Sequence, residues 1–274
     1  LNIMKICLLG NNLTNFLLAN VLLNKNITVD IISQKPLLTK QNTIRTIAIS
    51  NENYKFLRER IKGVDKLGWP TANIKIYSEK NISSELFEFK NKNQNNFYLF
   101  KYNELFNILK KNKLIKSTQI KNYNLEALNK RNYNLIINSE QNNPITKKFF
   151  QKKIEKDYKT SAHTAIIDHA DIQNNTAVQI FTKNGPLAFL PLSNKKTSIV
   201  FSFNSIRELE RKKFIEIVQN YNLKYKIKKF SDIETFNIRF FTLRNYIYKN
   251  VLSFGDLIHK VHPLAGQGFN MTLR

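Results

Sequence analysis

The residues of this chain best placed to do chemistry lie in its last quarter. An apolar run from Val251 to Phe254 stops at Gly255 and Asp256, and Pro263, Gly266, Gln267, Gly268 and Asn270 follow closely. The run predicts a strand that delivers a carboxylate beside a glycine, and the Gly266/Gly268 pair predicts a turn opening a helix at Asn270. A carboxylate and a row of free backbone N–H groups would then surround one polar ligand, the arrangement of a cofactor site. His259 and His262 could be read as a metal pair, but no cysteine or third histidine lies nearby to complete it, so no metal is expected.

The order Gly255-Asp256, His259, then His262 through Gly268 and Asn270 resembles the flavoprotein monooxygenases of ubiquinone biosynthesis, of the octaprenyl-methoxyphenol hydroxylase type. The resemblance implies FAD as cofactor, with Asp256 on the ribityl hydroxyls and Pro263, Gly266, Gln267, Gly268 and Asn270 near the isoalloxazine. It also implies NAD(P)H as reductant, O₂ as oxidant, a polyprenylated phenol as substrate and other ubiquinone-biosynthesis proteins as partners. In such enzymes the cofactor carries the oxygen chemistry, so binding residues are assigned and no catalytic acid or base is.

These residues need a scaffold, and the opening of the chain reads as its first part. Met4–Leu9 predicts a strand, residues 10–14 a turn, 15–23 a helix and 27–32 a second strand. A dinucleotide fingerprint would place glycines at 10, 12 and 15, yet only Gly10 is present, with Asn12 and Asn15 at the others. Asn tolerates a left-handed backbone, so the turn can form, but a side chain at 12 obstructs close approach of a pyrophosphate. Ser33 stands where the resemblance implies an acid on the adenosine ribose. Arg45, in a 44–50 segment like the family's R-x-x-A-L-S, is implied near the cofactor phosphates; on its own it reads equally as a surface arginine beside a strand.

Two further segments bear on the site. After a strand over 134–138 the family pattern A-D-G-x-x-S-x-x-R is absent, and residues 139–146 lack both the Asp and the Gly. Residues 175–192 resemble the family's N-T-A…G-P-L-A-x-L-P-L segment, with Gly185-Pro186 as the expected turn and Pro191 on the substrate side near the flavin. Trp69 is expected in the core or at a domain junction.

The expected fold is α/β: a Rossmann-like FAD-binding domain with a parallel sheet, interrupted by a mostly antiparallel-sheet substrate domain. The expected boundaries are 1–70, 99–150 and 242–274 for the first, and 71–98 and 151–241 for the second.

Composition excludes other classes. A single cysteine, Cys7, rules out a disulfide framework and points to a reducing compartment. No apolar run reaches membrane-spanning length, so the expected location is cytoplasmic, with peripheral contact at the inner face of the membrane. The net charge of +24 raises nucleic acid as a partner, but the lysines are dispersed among abundant Asn and Ile, and no nucleic-acid module accompanies them. The competing reading is a non-catalytic relative that has lost tight FAD binding and serves as an interaction subunit; Asn12, Asn15, Ser33 and 139–146 favour it. Relatives continue through a further helical segment beyond the position of Arg274, so the resemblance implies either a fragment or a shortened product.

Overall fold

Ile6 and Leu8 alternate with Cys7 and Leu9, so a strand over these residues has no polar face and must be covered on both sides. The computed structural model, which describes residues 4–23, 25, 27–34, 43–91, 93–206, 209–260 and 267–274, places this strand, β1 (Lys5–Leu9), inside a six-stranded sheet. The order is Ile247–Tyr248, Val251–Ser253, Leu135–Asn138, β1, β2 (Thr28–Ser33) and Lys116–Gln119. All neighbours are parallel except the Ile247–Tyr248 edge.

The two faces of β1 enter two cores. Ile6 and Leu8 pack with Phe16 and Leu17 of helix α1 (Leu13–Leu23) and with Leu105, Phe106 and Leu109 of the Tyr102–Lys110 helix. The rings of Phe16 and Phe106 meet edge-on at 5.2 Å between centroids. Cys7 and Leu9 pack on the opposite side with Leu125, Leu128, Ile136 and Ile145. Burial pushes the Cys7 thiol up to about 12, as expected of an inert core thiol.

A second, nine-stranded sheet runs His259–Lys260, Glu234–Leu243, Lys153–His169, Lys196–Phe203, Gly185–Ser193, Thr176–Thr182, Asn73–Ser78, Phe87–Lys90, with Ile227–Phe230 also pairing on Lys153–His169. Only the Thr176–Thr182/Asn73–Ser78 pair is parallel. One face buries Val178, Ile180, Leu187, Phe189, Ile199 and Phe201 against Phe214 and Val218 of the Arg211–Asn220 helix. The fold is therefore the expected mixed α/β arrangement of a parallel sheet and a mostly antiparallel one.

A three-stranded sheet of Thr46–Ser50, Phe97–Lys101 and Trp69–Thr71 joins the two. Trp69 Nε1 donates to the Asn174 carbonyl at 2.6 Å, and the Glu234 carboxylate accepts from Thr43 Oγ1 and the Ile44 N–H. Trp69 thus sits at the junction.

Three local expectations are corrected. The helix expected to open at Asn270 already begins at Gln267, so Gly268 lies inside it rather than in a turn before it. Helix α1 begins at Leu13 rather than Asn15, because Asn12 Oδ1 accepts the Asn15 N–H and caps it. The hairpin turn is Lys183-Asn184, and Gly185-Pro186 already opens the next strand. Gly185 has φ +123°, and a Cβ there would stand 1.8 Å from the Ser202 carbonyl oxygen, so glycine is required by close backbone approach.

Candidate cofactor site

The parallel sheet changes winding direction at β1, whose chain continues to β2 on one side while Leu135–Asn138 lies on the other. Open α/β sheets take ligands in the crevice beyond the carboxyl ends of the strands at such a point. Here that crevice lies between the Gly10–Asn12 turn and the Ser139–Glu140 segment. Gly10 has φ +115° and donates its N–H to the Ile32 carbonyl at 2.8 Å.

Side chains fill the crevice. Asn12 Nδ2 donates to Ser139 Oγ at 2.9 Å, bridging its two walls while Asn12 Oδ1 caps α1. Asn15 is fully buried, and its Nδ2 donates to the Leu9 and Gly10 carbonyls at 2.9 and 2.7 Å. A Cβ placed on Gly10 would lie 3.0 Å from Asn12 Nδ2, 3.1 Å from Glu140 Cβ and 3.4 Å from Asn15 Nδ2.

The wall behind is polar and self-satisfied. Asn143 caps the Pro144–Phe149 helix through the Thr146 N–H, donates to Asn138 Oδ1 at 2.7 Å, and Asn138 Nδ2 donates to Thr146 Oγ1 at 2.8 Å. The segment in which the Asp-Gly pair is missing has thus become a closed network of Asn, Ser and Thr.

The other end of the cleft is built around Gly255 and Asp256. Gly255, φ +60°, packs so closely on α1 that an added Cβ would meet Thr14 Cγ2 at 2.8 Å. Gly10 and Gly255 therefore flank the same helix N-terminus. Asp256 exposes its side chain, while its carbonyl accepts from Gln141 Nε2 at 3.0 Å. The Tyr102 phenol is raised chiefly by burial and further by the Asp256 carboxylate, against the opposing pull of Arg45 and a hydrogen bond with the Leu13 backbone. The Arg45 guanidinium lies 5.5 Å from the Tyr102 ring centroid and 5.9 Å from that of Phe236, within cation–π range of both. Arg45, Asp256 and the start of α1 thus converge around Tyr102.

The remaining predicted positions lie on separate elements. Ser33 is buried at the end of β2, and its carbonyl accepts from the Ile120 N–H at 3.0 Å. Asn270, in the Gln267–Thr272 helix, accepts from the Ser50 N–H and Asn53 Nδ2 at 2.9 Å each and donates to the Ala48 carbonyl at 2.8 Å. Its amide fastens that helix to the Thr46–Ser50 strand. Among the described residues, nothing lies within 4 Å of a Cβ added to Gly268. Pro191 is buried opposite Thr197 in the antiparallel sheet. Pro263 and Gly266 lie outside the described residues.

Sequence reading did not select Glu140, Ser139 or Tyr102. The Asn143-Pro144 pair is a local helix-start signal, but nothing local announces that Ser139 meets Asn12, 127 residues away.

No protein-family model matches the chain. It is 26% identical to the human mitochondrial ubiquinone biosynthesis monooxygenase COQ6 over an alignment 139 residues long that covers 36% of this chain; the match spans 30% of that relative's length. Among solved structures it resembles 2-methyl-3-hydroxypyridine-5-carboxylic acid oxygenase (TM-score 0.76, 10% identity, 99% of this chain and 80% of that one). It also resembles p-nitrophenol 4-monooxygenase PnpA of Pseudomonas putida (0.75, 8%, 99% and 77%) and PqsL, a probable FAD-dependent monooxygenase of Pseudomonas aeruginosa (0.73, 13%, 99% and 83%). The chain has the fold of the FAD-dependent monooxygenases.

Proposed function

We propose that the chain is a flavin-dependent aromatic hydroxylase of the ubiquinone-biosynthesis type, acting on a polyprenylated phenol. The observation that carries this reading is the placement of Gly255-Asp256: the strand before it joins the parallel sheet beside Leu135–Asn138, and the glycine packs on the first turn of α1. The partial likeness to the human ubiquinone-biosynthesis monooxygenase supports the substrate class.

The two ends of the cleft fit the cofactor unequally. Exposed Asp256 and Gly268, which no described residue crowds, suit a polyol chain and a planar ring. The Gly10 turn, filled by Asn12, Asn15 and Glu140, does not suit a pyrophosphate. A bound flavin would supply two-electron reduction by NAD(P)H and activation of O₂. The chain's own share is to hold the ribityl hydroxyls through Asp256, to present the Arg45 cation at the mouth, and to cover the ring with the buried face around Pro191.

The filled turn favours a second reading, a non-catalytic relative serving as an interaction subunit. The two separate on the visible spectrum of the purified chain titrated with riboflavin and FAD, followed by NADPH oxidation with a prenylated phenol. Flavin binding with phenol-dependent oxidation supports the hydroxylase; absence of binding to either flavin overturns it in favour of the second reading. No helix among the described residues is long and apolar enough to cross a membrane; contact with a membrane surface belongs to this proposal and is read from vesicle co-sedimentation.

A further inference from the structure

A pyrophosphate held at the start of a βαβ unit needs three things: room against the first glycine, free N–H donors on the first helical turn, and no anion already in place. Room is missing, since the atoms nearest to a Cβ on Gly10 are the amide nitrogens of Asn12 and Asn15 and the Cβ of Glu140, all at 3.0–3.4 Å. Four donors around the turn are committed: Gly10 N–H to Ile32, Asn15 N–H to Asn12 Oδ1, Phe16 N–H to the Asn12 carbonyl, and the Leu13 backbone to the Tyr102 phenol. Glu140, whose Cβ stands 3.1 Å from a Cβ on Gly10, brings an acidic side chain to this turn, and like charges at short range oppose each other. The Asn12–Ser139 hydrogen bond then joins both walls. The buried Asn15 Oδ1 has no hydrogen-bond partner among the described residues, and an acceptor there is answered by a water or hydroxyl donor rather than by a phosphate oxygen.

From this we infer that the switch-point crevice is closed to pyrophosphate by the chain's own side chains, so that the protein recognises a flavin by its ring and polyol and does not distinguish FAD from riboflavin. The second half rests on the flavin reading above; the closure itself does not.

ADP separates the two, because it carries the dinucleotide's pyrophosphate end and no flavin. Titration of the full chain by calorimetry is expected to show ADP binding no tighter than roughly 1 mM, with FAD and riboflavin within about threefold of each other. Opening the crevice with the Asn12→Gly/Asn15→Gly pair is expected to tighten ADP and FAD at least about tenfold and leave riboflavin unchanged. Ser139→Gly, which removes the bridge while sparing the α1 cap, is expected to act in the same direction and stands in if the double variant fails to fold. Micromolar ADP binding by the unaltered chain overturns the closure. So does a folded, opened variant that gains no ADP affinity. If ADP behaves as expected while no form binds riboflavin, the closure stands and the flavin reading falls.

Discussion

Two glycines assigned to the candidate cleft, Gly10 and Gly268, meet different surroundings. Gly10 sits at φ +115° with three side chains crowded where its Cβ would be, whereas Gly268 lies in a helix with no described residue within 4 Å of an added Cβ. Glycine at the first position is demanded by backbone geometry and is enclosed by the protein itself. At the second position neither geometry nor packing demands it, and the helix loses stability for its presence. Identical residues in equivalent-looking motifs therefore report different things: one marks a turn that has been filled, the other a helix position that no described side chain crowds.

Gly10→Ala tests the filled end most severely. A non-glycine residue at this φ is strained, and its methyl must displace Asn12 or Glu140, so a loss of roughly 2–4 kcal/mol in folding stability is expected. Chemical denaturation measures it. A loss below about 0.5 kcal/mol would mean that the Asn12–Ser139 bridge yields easily and that the crevice opens at little cost.

Asp256→Ala tests the open end through ligand rather than fold. The side chain is exposed, so stability should stay within about 0.5 kcal/mol. Riboflavin binding should weaken by about 10- to 150-fold, the loss of charge-assisted hydrogen bonds of roughly 1.5–3 kcal/mol. Fluorescence quenching of riboflavin reads both binding and its loss; equal affinity in variant and parent would make Asp256 a bystander.

Asn143→Ala asks whether the wall behind Gly10 is as cohesive as its hydrogen bonds imply. It removes the cap of the Pro144–Phe149 helix and one donor to Asn138 Oδ1, for an expected loss of about 1–2 kcal/mol by thermal or chemical unfolding. Asn143→Asp keeps the cap acceptor but loses the donor to Asn138, and should fall between the two. An alanine variant as stable as the parent would show that the network is incidental to the closure.

The contrast between the two ends also decides what could be read before the fold was known. The parallel strands were legible because β1 is apolar on both faces and Leu135–Ile137 and Val251–Leu252 repeat the pattern. The Gly255-Asp256 end was legible because strand, glycine and acid are contiguous in sequence. Asn12 and Asn15 were recognisable as departures, but their hydrogen bonds were not, since the Asn12 acceptor comes from a strand end 127 residues on. Gly185-Pro186 was misplaced as the turn for a related reason: the close approach that needs glycine is to Ser202, on the neighbouring pair of strands. Arg45 could be placed beside a strand, yet its position between the Tyr102 and Phe236 rings depends on the junction of two sheets.

Gly268→Ala produces the smallest expected change and the most pointed one. The position is the second residue of the Gln267–Thr272 helix, and an added methyl touches none of the described residues. Alanine is the better helix former, so folding stability should hold or rise by about 0.5–1 kcal/mol, visible as a small upward shift in Tm. The space that the methyl enters is the space in which the proposed flavin ring would lie, so riboflavin affinity should fall while the fold gains. Such opposite signs are hard to obtain from a residue with a purely structural role. If riboflavin binding rises or holds together with Tm, the open volume at Gly268 is not used by the ring, and the ring end of the cleft must be sought nearer to Tyr102 and Arg45.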